Sequence, residues 1–346
     1  MEGVSTSCAA GWAARAGEVG AGEVGGDIGL FFDLASLTKP MVAVAFARSG
    51  IERGTPLVEL LSEAAGTPSA QIPIELLLAH RSGLEANARL FEPLLRGAPV
   101  DPSAALATAA ASRRDDALGA LPSEGFAPVY SDLGYILAGA AMARHVQAKD
   151  AGEVVHELVC KPLGLATTLG TARELAAAGI DLGARAAPTE VVAWRGGELR
   201  GVVHDENAWA LTGRGGSGHA GMFGTIDAVL EFGLHVLASQ GELAWLFSPR
   251  SGGTLRAGFD GKSDEGSSAG TVLGARAFGH LGFTGTSVWI DPELDVVVSL
   301  LTNRVHPTRD NAKIRAARPR AHDVLATRAL ASRAKRRAQE PKSFVK

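Results

Sequence analysis

The sequence predicts an α+β protein in which a sheet domain with flanking helices carries an inserted all-helical lobe. Strand-like segments lie towards both ends of the 346-residue chain, and the stretch between them is rich in Ala and Leu with helical periodicity. A chain of this length also favours two lobes over one core. We therefore assign residues 1–55 and 190–330 to the sheet domain, 56–189 to the mainly helical lobe, and 331–346 to a basic C-terminal tail.

The first half of the chain begins with possible strands and continues into helices. The first thirty residues alternate small apolar residues with Gly and Glu, and we expect one or two strands there. Proline lacks an N–H group and is tolerated only in the first turn of a helix, so Pro40 indicates that a helix begins near Ser36. The lobe is expected to form helices over "IPIELLLAH", "PSAALATAAASRR", "DLGYILAGAAMARHV" and "AGEVVHELVCKPLGL".

The second half returns to strands. The segment "VVAWRGGELRGVVHDE" is typical of short strands around a Gly-Gly turn, and "TIDAVLEFGLHVLASQ" predicts an amphipathic helix with Thr225 as its N-cap. Three further strands are expected over "TVLGARAFG", "TSVWIDP" and "DVVVSLLTN", the last two joined by the turn "DPEL". A closing helical stretch is expected to break or kink at Pro319.

Composition excludes several classes of protein. The net charge of −3 provides no field that would attract nucleic acid or an anionic membrane, so we expect neither as a partner. No apolar run approaches the roughly 20 residues needed to span a bilayer. The N-terminal residues lack the features of a secretion signal, so the chain is expected to be cytoplasmic unless its true start lies upstream. Nothing in the sequence indicates an oligomeric state.

Ser36 and Lys39 are the first candidate catalytic residues. In a helix that begins near Ser36, Lys39 lies about one turn further on the same face, within reach of the serine hydroxyl. A lysine whose pKa is lowered by burial can take the proton of a serine, which is otherwise a weak nucleophile. The same Ser-x-x-Lys spacing also occurs at Ser332 and Ser343, in the polar basic tail. Taken locally, an N-cap serine beside a lysine that extends to solvent remains an alternative.

Five ordered segments give the pair a context: "FDLASLTKP", "LLLAHRSGL", "VYSDLGYILAG", "GVVHDENAWALTGRGGSGHAGMFGT" and "FGHLGFTGTSVWIDPELDVVVSLLTNRVHPTRDN". Together they resemble the beta-lactamase-related serine hydrolases, which include class C beta-lactamases, D-alanyl-D-alanine carboxypeptidases and esterases. The resemblance extends from about Leu30 to Ala321. It implies a mainly antiparallel sheet flanked by helices, a helical lobe, and an active site at their junction.

The resemblance also implies residue roles. Ser36 would be the acylated nucleophile, Lys39 its general-base partner, and Tyr130 the phenol that moves protons between the serine, the lysine and the leaving group. The segment "HLG" at 280–282 would stand for the lysine-threonine-glycine strand motif that borders the substrate. The backbone N–H groups of Ser36 and Phe283 would form the oxyanion hole.

Two residues depart from the pattern of the family. Asp132 stands where many relatives have asparagine; a carboxylate cannot donate a hydrogen bond, and beside Lys39 it would favour the ammonium form. We expect Asp132 either to cap the following helix, which is the preferred reading, or to shift the proton chemistry towards Tyr130. His280 replaces a lysine and is mostly neutral near pH 7, which favours substrates without an obligatory carboxylate. Gly282 belongs to the same substrate-bordering motif.

Three other histidines could have a functional or a structural role. His219 lies in the glycine-rich loop "GSGHAGMFG", where close approach to another backbone is expected. We treat it as a candidate substrate contact, with a structural role as the alternative. His80 is expected to be a structural histidine. His204 lies in "VHDEN", but no second cluster with metal-ligand spacing accompanies it, so no metal and no cofactor are expected.

The sequence therefore predicts a metal-independent serine hydrolase that acts on small esters or amides through an acyl-enzyme. A beta-lactamase or D-alanyl-D-alanine carboxypeptidase is the alternative within the family. A weakly active or inactive binding module with the same fold is the alternative from another class.

Overall fold

The structure is a computed structural model that describes residues 3–15 and 21–339. Its strands are β1 (Cys8–Ala14), β2 (Ala21–Gly26), β3 (Phe32–Asp33), β4 (Leu169–Thr171), β5 (Val191–Val192), β6 (Gly197–Glu198), β7 (Met222–Gly224), β8 (Asp260–Gly261), β9 (Phe278–Leu281), β10 (Ser287–Asp291) and β11 (Val296–Thr302). Its α-helices are α1 (Thr38–Arg48), α2 (Leu57–Leu60), α3 (Ile74–Leu78), α4 (Glu92–Leu95), α5 (Pro102–Ala111), α6 (Asp132–His145), α7 (Ala151–Val155), α8 (Ala172–Ala177), α9 (Leu182–Arg185), α10 (Glu206–Thr212), α11 (Ile226–Ala238), α12 (Gln240–Phe247) and α13 (Ile314–Gln339).

The largest sheet joins strands from both parts of the chain. Its order is β2-β1-β11-β10-β9-β8, and every neighbouring pair is antiparallel, as the sequence predicts. Strand β1 lies beside β11 in a register that pairs Cys8 with Thr302 and Ala14 with Val296. A smaller sheet, β3-β7-β4, leads into the turn that carries Ser36, and β5 and β6 form a separate hairpin.

Helices cover both faces of the large sheet. All seven residues of β11 are buried, which explains its unbroken apolar character. Val297 and Leu301 belong to a core that includes residues of α11, whereas Val296 and Val298 pack with residues of α13. The predicted N-cap of α11 is confirmed, because the side chain of Thr225 accepts a hydrogen bond from the N–H of Ala228.

The helices between Leu57 and Arg185 pack around α6, which contacts α1, α2, α3, α5 and α7. Most of α6 is buried, and its first residue, Asp132, contacts Lys39 of α1. The division into two domains at the predicted boundaries stays a prediction.

Three expectations about elements were wrong. The stretch 56–189 is not all helical, since β4 pairs with β7. Only the end of "TVLGARAFG" is a strand, because β9 begins at Phe278. The expected break at Pro319 is absent, because helix α13 runs through this residue, while a kink there stays a prediction; the proline forfeits one hydrogen bond near the helix start, and packing of α13 on the sheet offsets that cost of about 3 kcal/mol. Residues 331–339 of the expected tail are helical, and 340–346 lie outside the described residues.

None of the described helices combines the length and the hydropathy that a membrane crossing requires. The cytoplasmic location stays a prediction.

Candidate active site

Ser36 lies in a 3-10 turn, Ala35–Leu37, directly before α1. Ala35 has a φ of 47°, a left-handed conformation that costs a non-glycine residue of order 1–3 kcal/mol. The buried carboxylate of Asp33 stabilises this turn, because it accepts hydrogen bonds from the N–H of Ala35 at 2.8 Å and from the N–H of His204 at 2.7 Å. Asp33 was not singled out in the sequence, although a carboxylate inside the apolar run "FFDLAS" was a signal for it.

Lys39 lies one turn further along and is fully buried. Its Nζ is 2.9 Å from Ser36 Oγ, 2.7 Å from Asp132 Oδ1 and 3.4 Å from the carbonyl oxygen of His219. Burial is the largest influence on the pKa of Lys39 and would lower it, but Asp132 and Tyr130 together raise the pKa above its ordinary value. The expectation that burial leaves Lys39 with a lowered pKa is therefore wrong.

Tyr130 approaches the same point from the segment before α6. The centre of its ring is 4.8 Å from Lys39 Nζ, and its ring lines the same cleft as Ser36. Burial raises the pKa of Tyr130, and the Lys39 ammonium offsets only part of that effect. Near neutral pH the residue is thus a phenol, which can give a proton but not take one. The three side chains of the predicted nucleophilic centre converge in space.

His80 holds Tyr130 in place, a role that the sequence did not indicate. Its ring stacks on the Tyr130 ring with 4.5 Å between centres. Its Nδ1 accepts a hydrogen bond from the N–H of Ser131 at 3.0 Å, and its carbonyl accepts one from the N–H of Val129 at 3.1 Å. Burial and then the Lys39 charge lower the pKa of His80 well below its usual value, so the ring is neutral.

Asp132 does not cap α6, which corrects the preferred expectation. Ser131 is the N-cap, since its Oγ accepts the N–H of Gly134 at 3.2 Å. Asp132 is the first residue of the helix, and its carboxylate turns back onto Lys39. Its side chain is 21% exposed and lines the cleft. The predicted alternative, a shift of the proton chemistry towards Tyr130, stays a prediction; the geometry shows the contact of Asp132 with Lys39.

The strand motif borders the cleft through Gly282 and Phe283, which both line it. A Cβ at Gly282 would lie 2.0 Å from Thr286 Oγ1 and 2.6 Å from the carbonyl oxygen of Leu34, so only glycine fits there. Within the described residues, neither the N–H of Ser36 nor the N–H of Phe283 donates a hydrogen bond to the protein. Both are free for a substrate oxygen.

His280 lies behind this edge rather than in the cleft. It is buried, and its Nδ1 is 2.9 Å from the carbonyl oxygen of Leu281. Burial and then the charge of Lys39 lower the pKa of His280 to about 3, so the residue is neutral at physiological pH, as predicted. Its expected direct contact with substrate is not supported by this placement.

His219 is also placed away from substrate, which corrects its selection as a substrate contact. Its side chain is 1% exposed; Nε2 donates to Asp205 at 2.8 Å, and Nδ1 is 3.2 Å from Ser217 Oγ. Its carbonyl oxygen faces Lys39. The predicted close approach of its loop is confirmed, since a Cβ at Gly218 would lie 1.7 Å from the carbonyl oxygen of Tyr135.

The cleft has a volume of about 570 Å³ and carries charge of both signs. Arg318 is 9% exposed and donates to the carbonyl oxygens of Gly282 at 2.6 Å and Thr286 at 2.9 Å. In the described part of the chain its Nε has no acceptor, and neither Arg318 nor the neighbouring Arg304 and Arg315 forms an ion pair. Arg309, by contrast, pairs with two glutamates. No pattern in the sequence indicated this group of three arginines.

Residues 3–15 and 21–339 contain no group of three His, Cys, Asp or Glu side chains that could hold a metal ion. His204 is engaged by Glu190, with 2.9 Å between Nε2 and Oε2.

Comparison with solved structures supports the fold. A beta-lactamase from Mycobacterium bovis is 21% identical, with a TM-score of 0.60 over 94% of this chain and 96% of that one. A hydrolase described as having promiscuous acyltransferase activity is 19% identical, with a TM-score of 0.65 over 92% and 93% of the two chains. A class C beta-lactamase from Rhodobacter sphaeroides is 16% identical, with a TM-score of 0.63 over 95% of each.

Curated relatives match part of the chain. A putative D-alanyl-D-alanine carboxypeptidase of Escherichia coli K12 is 29% identical over 206 residues, which are 54% of this chain and 47% of that protein. A protein of the same description from Salmonella gallinarum is 31% identical over 209 residues, with the same coverage. The match thus spans about half the length of these relatives. The family profile described as Beta-lactamase matches residues 9–322. The chain belongs to the beta-lactamase family, as its five ordered motifs predict.

Proposed function

We propose that the protein is a serine hydrolase that works through an acyl-enzyme on Ser36. The observation that carries this proposal is the contact of a fully buried Lys39 with the hydroxyl of Ser36, 2.9 Å away, at a turn held in a left-handed conformation. Burial of a lysine costs free energy even when it is paired, as Lys39 is with Asp132, and a buried ionisable group beside a cleft marks a candidate functional site.

In the proposed reaction, Ser36 Oγ attacks the carbonyl carbon of the substrate and loses its proton. The N–H groups of Ser36 and Phe283 stabilise the negative oxygen of the tetrahedral intermediate. Tyr130, a phenol at neutral pH, gives a proton to the leaving group as the bond to it breaks. Water then attacks the acyl ester, which releases the acid and restores the Ser36 hydroxyl.

We propose small esters or amides as substrates. The cleft volume of about 570 Å³ suits a small molecule. The neutral His280 stands where relatives carry lysine, so the strand motif itself offers no permanent cation for a substrate carboxylate.

A substrate that carries a carboxylate, as in a beta-lactamase or a D-alanyl-D-alanine carboxypeptidase, is the second candidate. The observation that favours it is the group of Arg304, Arg315 and Arg318, which lines the cleft without a carboxylate partner among the described residues. Guanidinium groups bind carboxylates well. The names of the curated relatives point the same way.

Labelling by a fluorophosphonate probe tests the nucleophile. We expect the wild type to be labelled and Ser36→Ala to remain unlabelled. Ser332→Ala is the matched control, since it removes a serine with the same Ser-x-x-Lys spacing on the outer part of α13. Wild-type protein that is folded by circular dichroism but not labelled would reject the hydrolase and favour a binding module.

Substrate turnover separates the two candidates. Hydrolysis of p-nitrophenyl acetate and butyrate without turnover of nitrocefin or of a peptide ending in D-alanyl-D-alanine supports the esterase. If the carboxylate-bearing substrates are turned over, Arg315→Gln should lower kcat/KM for them and leave that for p-nitrophenyl acetate unchanged.

A further inference from the structure

The hydrogen bonds of Lys39 raise the question of where the Ser36 proton goes. An ammonium group has three N–H donors, and three acceptors surround Nζ: Ser36 Oγ at 2.9 Å, Asp132 Oδ1 at 2.7 Å and the carbonyl oxygen of His219 at 3.4 Å. In this arrangement Lys39 donates to Ser36, and no lone pair of Nζ faces the serine. Lys39 must lose a proton before it can act as a base.

The other groups near Ser36 do not offer an alternative acceptor. Tyr130 is held as a phenol by burial. His80 uses Nδ1 to accept from the backbone and lies flat against the Tyr130 ring. His280 is a weak base, because burial and then the charge of Lys39 lower its pKa to about 3. Asp205 lines the cleft, but its Oδ1 accepts from His219 rather than from Lys39. Among the described residues, Asp132 is the carboxylate that contacts Lys39 Nζ.

Resting on the proposed acylation of Ser36, we propose that Asp132 is the terminal acceptor of the serine proton, reached through Lys39. Nζ first passes a proton to Asp132 Oδ1, which makes a neutral amine and a carboxylic acid. The amine turns its lone pair to Ser36 and takes the hydroxyl proton as Oγ forms its bond to the carbonyl carbon. When Tyr130 has given its proton to the leaving group, Lys39 reprotonates Tyr130 and recovers its own proton from Asp132.

The exposure of Asp132 suits such a role. Its side chain is 21% exposed and lines the cleft, while Lys39 is fully buried. A bound substrate covers Asp132 and removes water from it. Loss of water disfavours an ion pair relative to the neutral pair of amine and acid, so substrate binding itself promotes the first proton transfer. An asparagine at this position could not take the proton.

Few other groups near the pair titrate between about pH 6 and 9. His280 has a pKa of about 3 and His80 is also neutral, so neither changes charge there. Arg318, which acts on His280 from α13, has its pKa lowered to about 10 by burial and Arg304. Tyr130 has a raised pKa, and the pKa of Asp205 is held below its usual value by His219, against the effect of burial. A difference in pH profile between wild type and an Asp132 variant, measured under the same conditions, therefore reports on the contact between Asp132 and Lys39.

The rate of fluorophosphonate labelling against pH tests the proposal, because fluoride leaves phosphorus without a proton and the rate reports on deprotonation of Ser36. We expect a flat profile for wild type between about pH 6 and 9. Asp132→Asn should label about 100-fold more slowly near pH 6, the usual contribution of a general base, and recover at high pH. Recovery is expected because burial, no longer opposed by Asp132, lowers the pKa of Lys39. Asp132→Glu keeps a carboxylate and should keep the flat profile at a reduced rate.

Glu63→Gln is the matched control, since it makes the same chemical change in an ion pair with Arg144 outside the cleft, and its labelling should equal that of wild type. The proposal is overturned if Asp132→Asn is labelled at pH 6 at a rate within a few-fold of the wild-type rate. It is also overturned if the labelling rate of Asp132→Asn is reduced by the same factor at every pH. If Asp132→Asn does not fold, a sloping profile for Asp132→Glu overturns it. Absence of labelling in wild type would instead reject Ser36 as the nucleophile.

Discussion

Replacement of Gly282 by alanine tests the link between the strand motif and the oxyanion hole. The new methyl group would lie 2.0 Å from Thr286 Oγ1 and 2.6 Å from the carbonyl oxygen of Leu34. These two atoms cannot separate freely, because Thr286 Oγ1 donates a hydrogen bond to that carbonyl at 3.0 Å. Carbon needs about 3.5 Å, so the segment with Gly282 and Phe283 must move away from Thr286 Oγ1 by about 1.5 Å.

That movement displaces the N–H of Phe283, which we assign to the oxyanion hole. Loss of one such donor costs about 2.7–4 kcal/mol of transition-state stabilisation, so we expect kcat/KM to fall about 10²- to 10³-fold. The crowding should also lower the free energy of unfolding by about 1–3 kcal/mol.

The measurements are kcat/KM for p-nitrophenyl acetate, the rate of fluorophosphonate labelling, and unfolding in urea. Gly54→Ala is the matched control, because its methyl group would enter open space and should change neither rate nor stability. If Gly282→Ala folds and acylates at the wild-type rate, the Phe283 N–H does not stabilise the transition state and the reasoning is refuted.

Three further changes have defined outcomes. Lys39→Met should lower the labelling rate by at least about 10³-fold while the protein remains folded by circular dichroism, since it removes the proton carrier. His80→Ala should lower kcat about 10-fold with little change in KM, because Tyr130 loses its stacking partner; an unchanged kcat would contradict this role. The hydrogen bond from Arg144 lowers the pKa of Glu63 to about 2. The contribution of this pair to stability is therefore complete above the ordinary glutamate pKa of 4.5 and is lost as the pH falls towards 2. Urea midpoints of Glu63→Gln should therefore fall less than those of wild type between about pH 5 and 3, and equal losses would show that the pair does not act through this titration.

The proximity of Ser36 and Lys39 could be predicted from spacing alone, because one helical turn brings them together wherever the helix begins. Tyr130 could not be found in that way. It lies far along the chain, and only the order of the five motifs associated it with the pair. The antiparallel sheet was predicted for the same reason, and the helix through Pro319 was missed because local propensity does not include the packing of α13 against the sheet.

The direction in which a short side chain points could not be predicted from the sequence. Asp132 could cap its helix or contact Lys39, and the choice depends on Ser131 already occupying the N-cap position. His219 was misjudged because its partner, Asp205, precedes another helix and meets it only in the folded chain. The arginines were missed since Arg304 follows β11 whereas Arg315 and Arg318 lie in α13, and only folding gathers them at one cleft.

The place of β1 in the large sheet has a consequence for biosynthesis. This strand is synthesised long before β11, one of its two neighbours, since Cys8 pairs with Thr302. Contacts so distant in sequence form slowly, and the helices around α6 can assemble well before them. The motif strand β9 reaches the sheet through β10 and β11, so a nascent chain holds Ser36 and Lys39 long before it possesses an oxyanion hole. The proposed hydrolytic activity should therefore arise only when β9, β10 and β11 have docked onto β1.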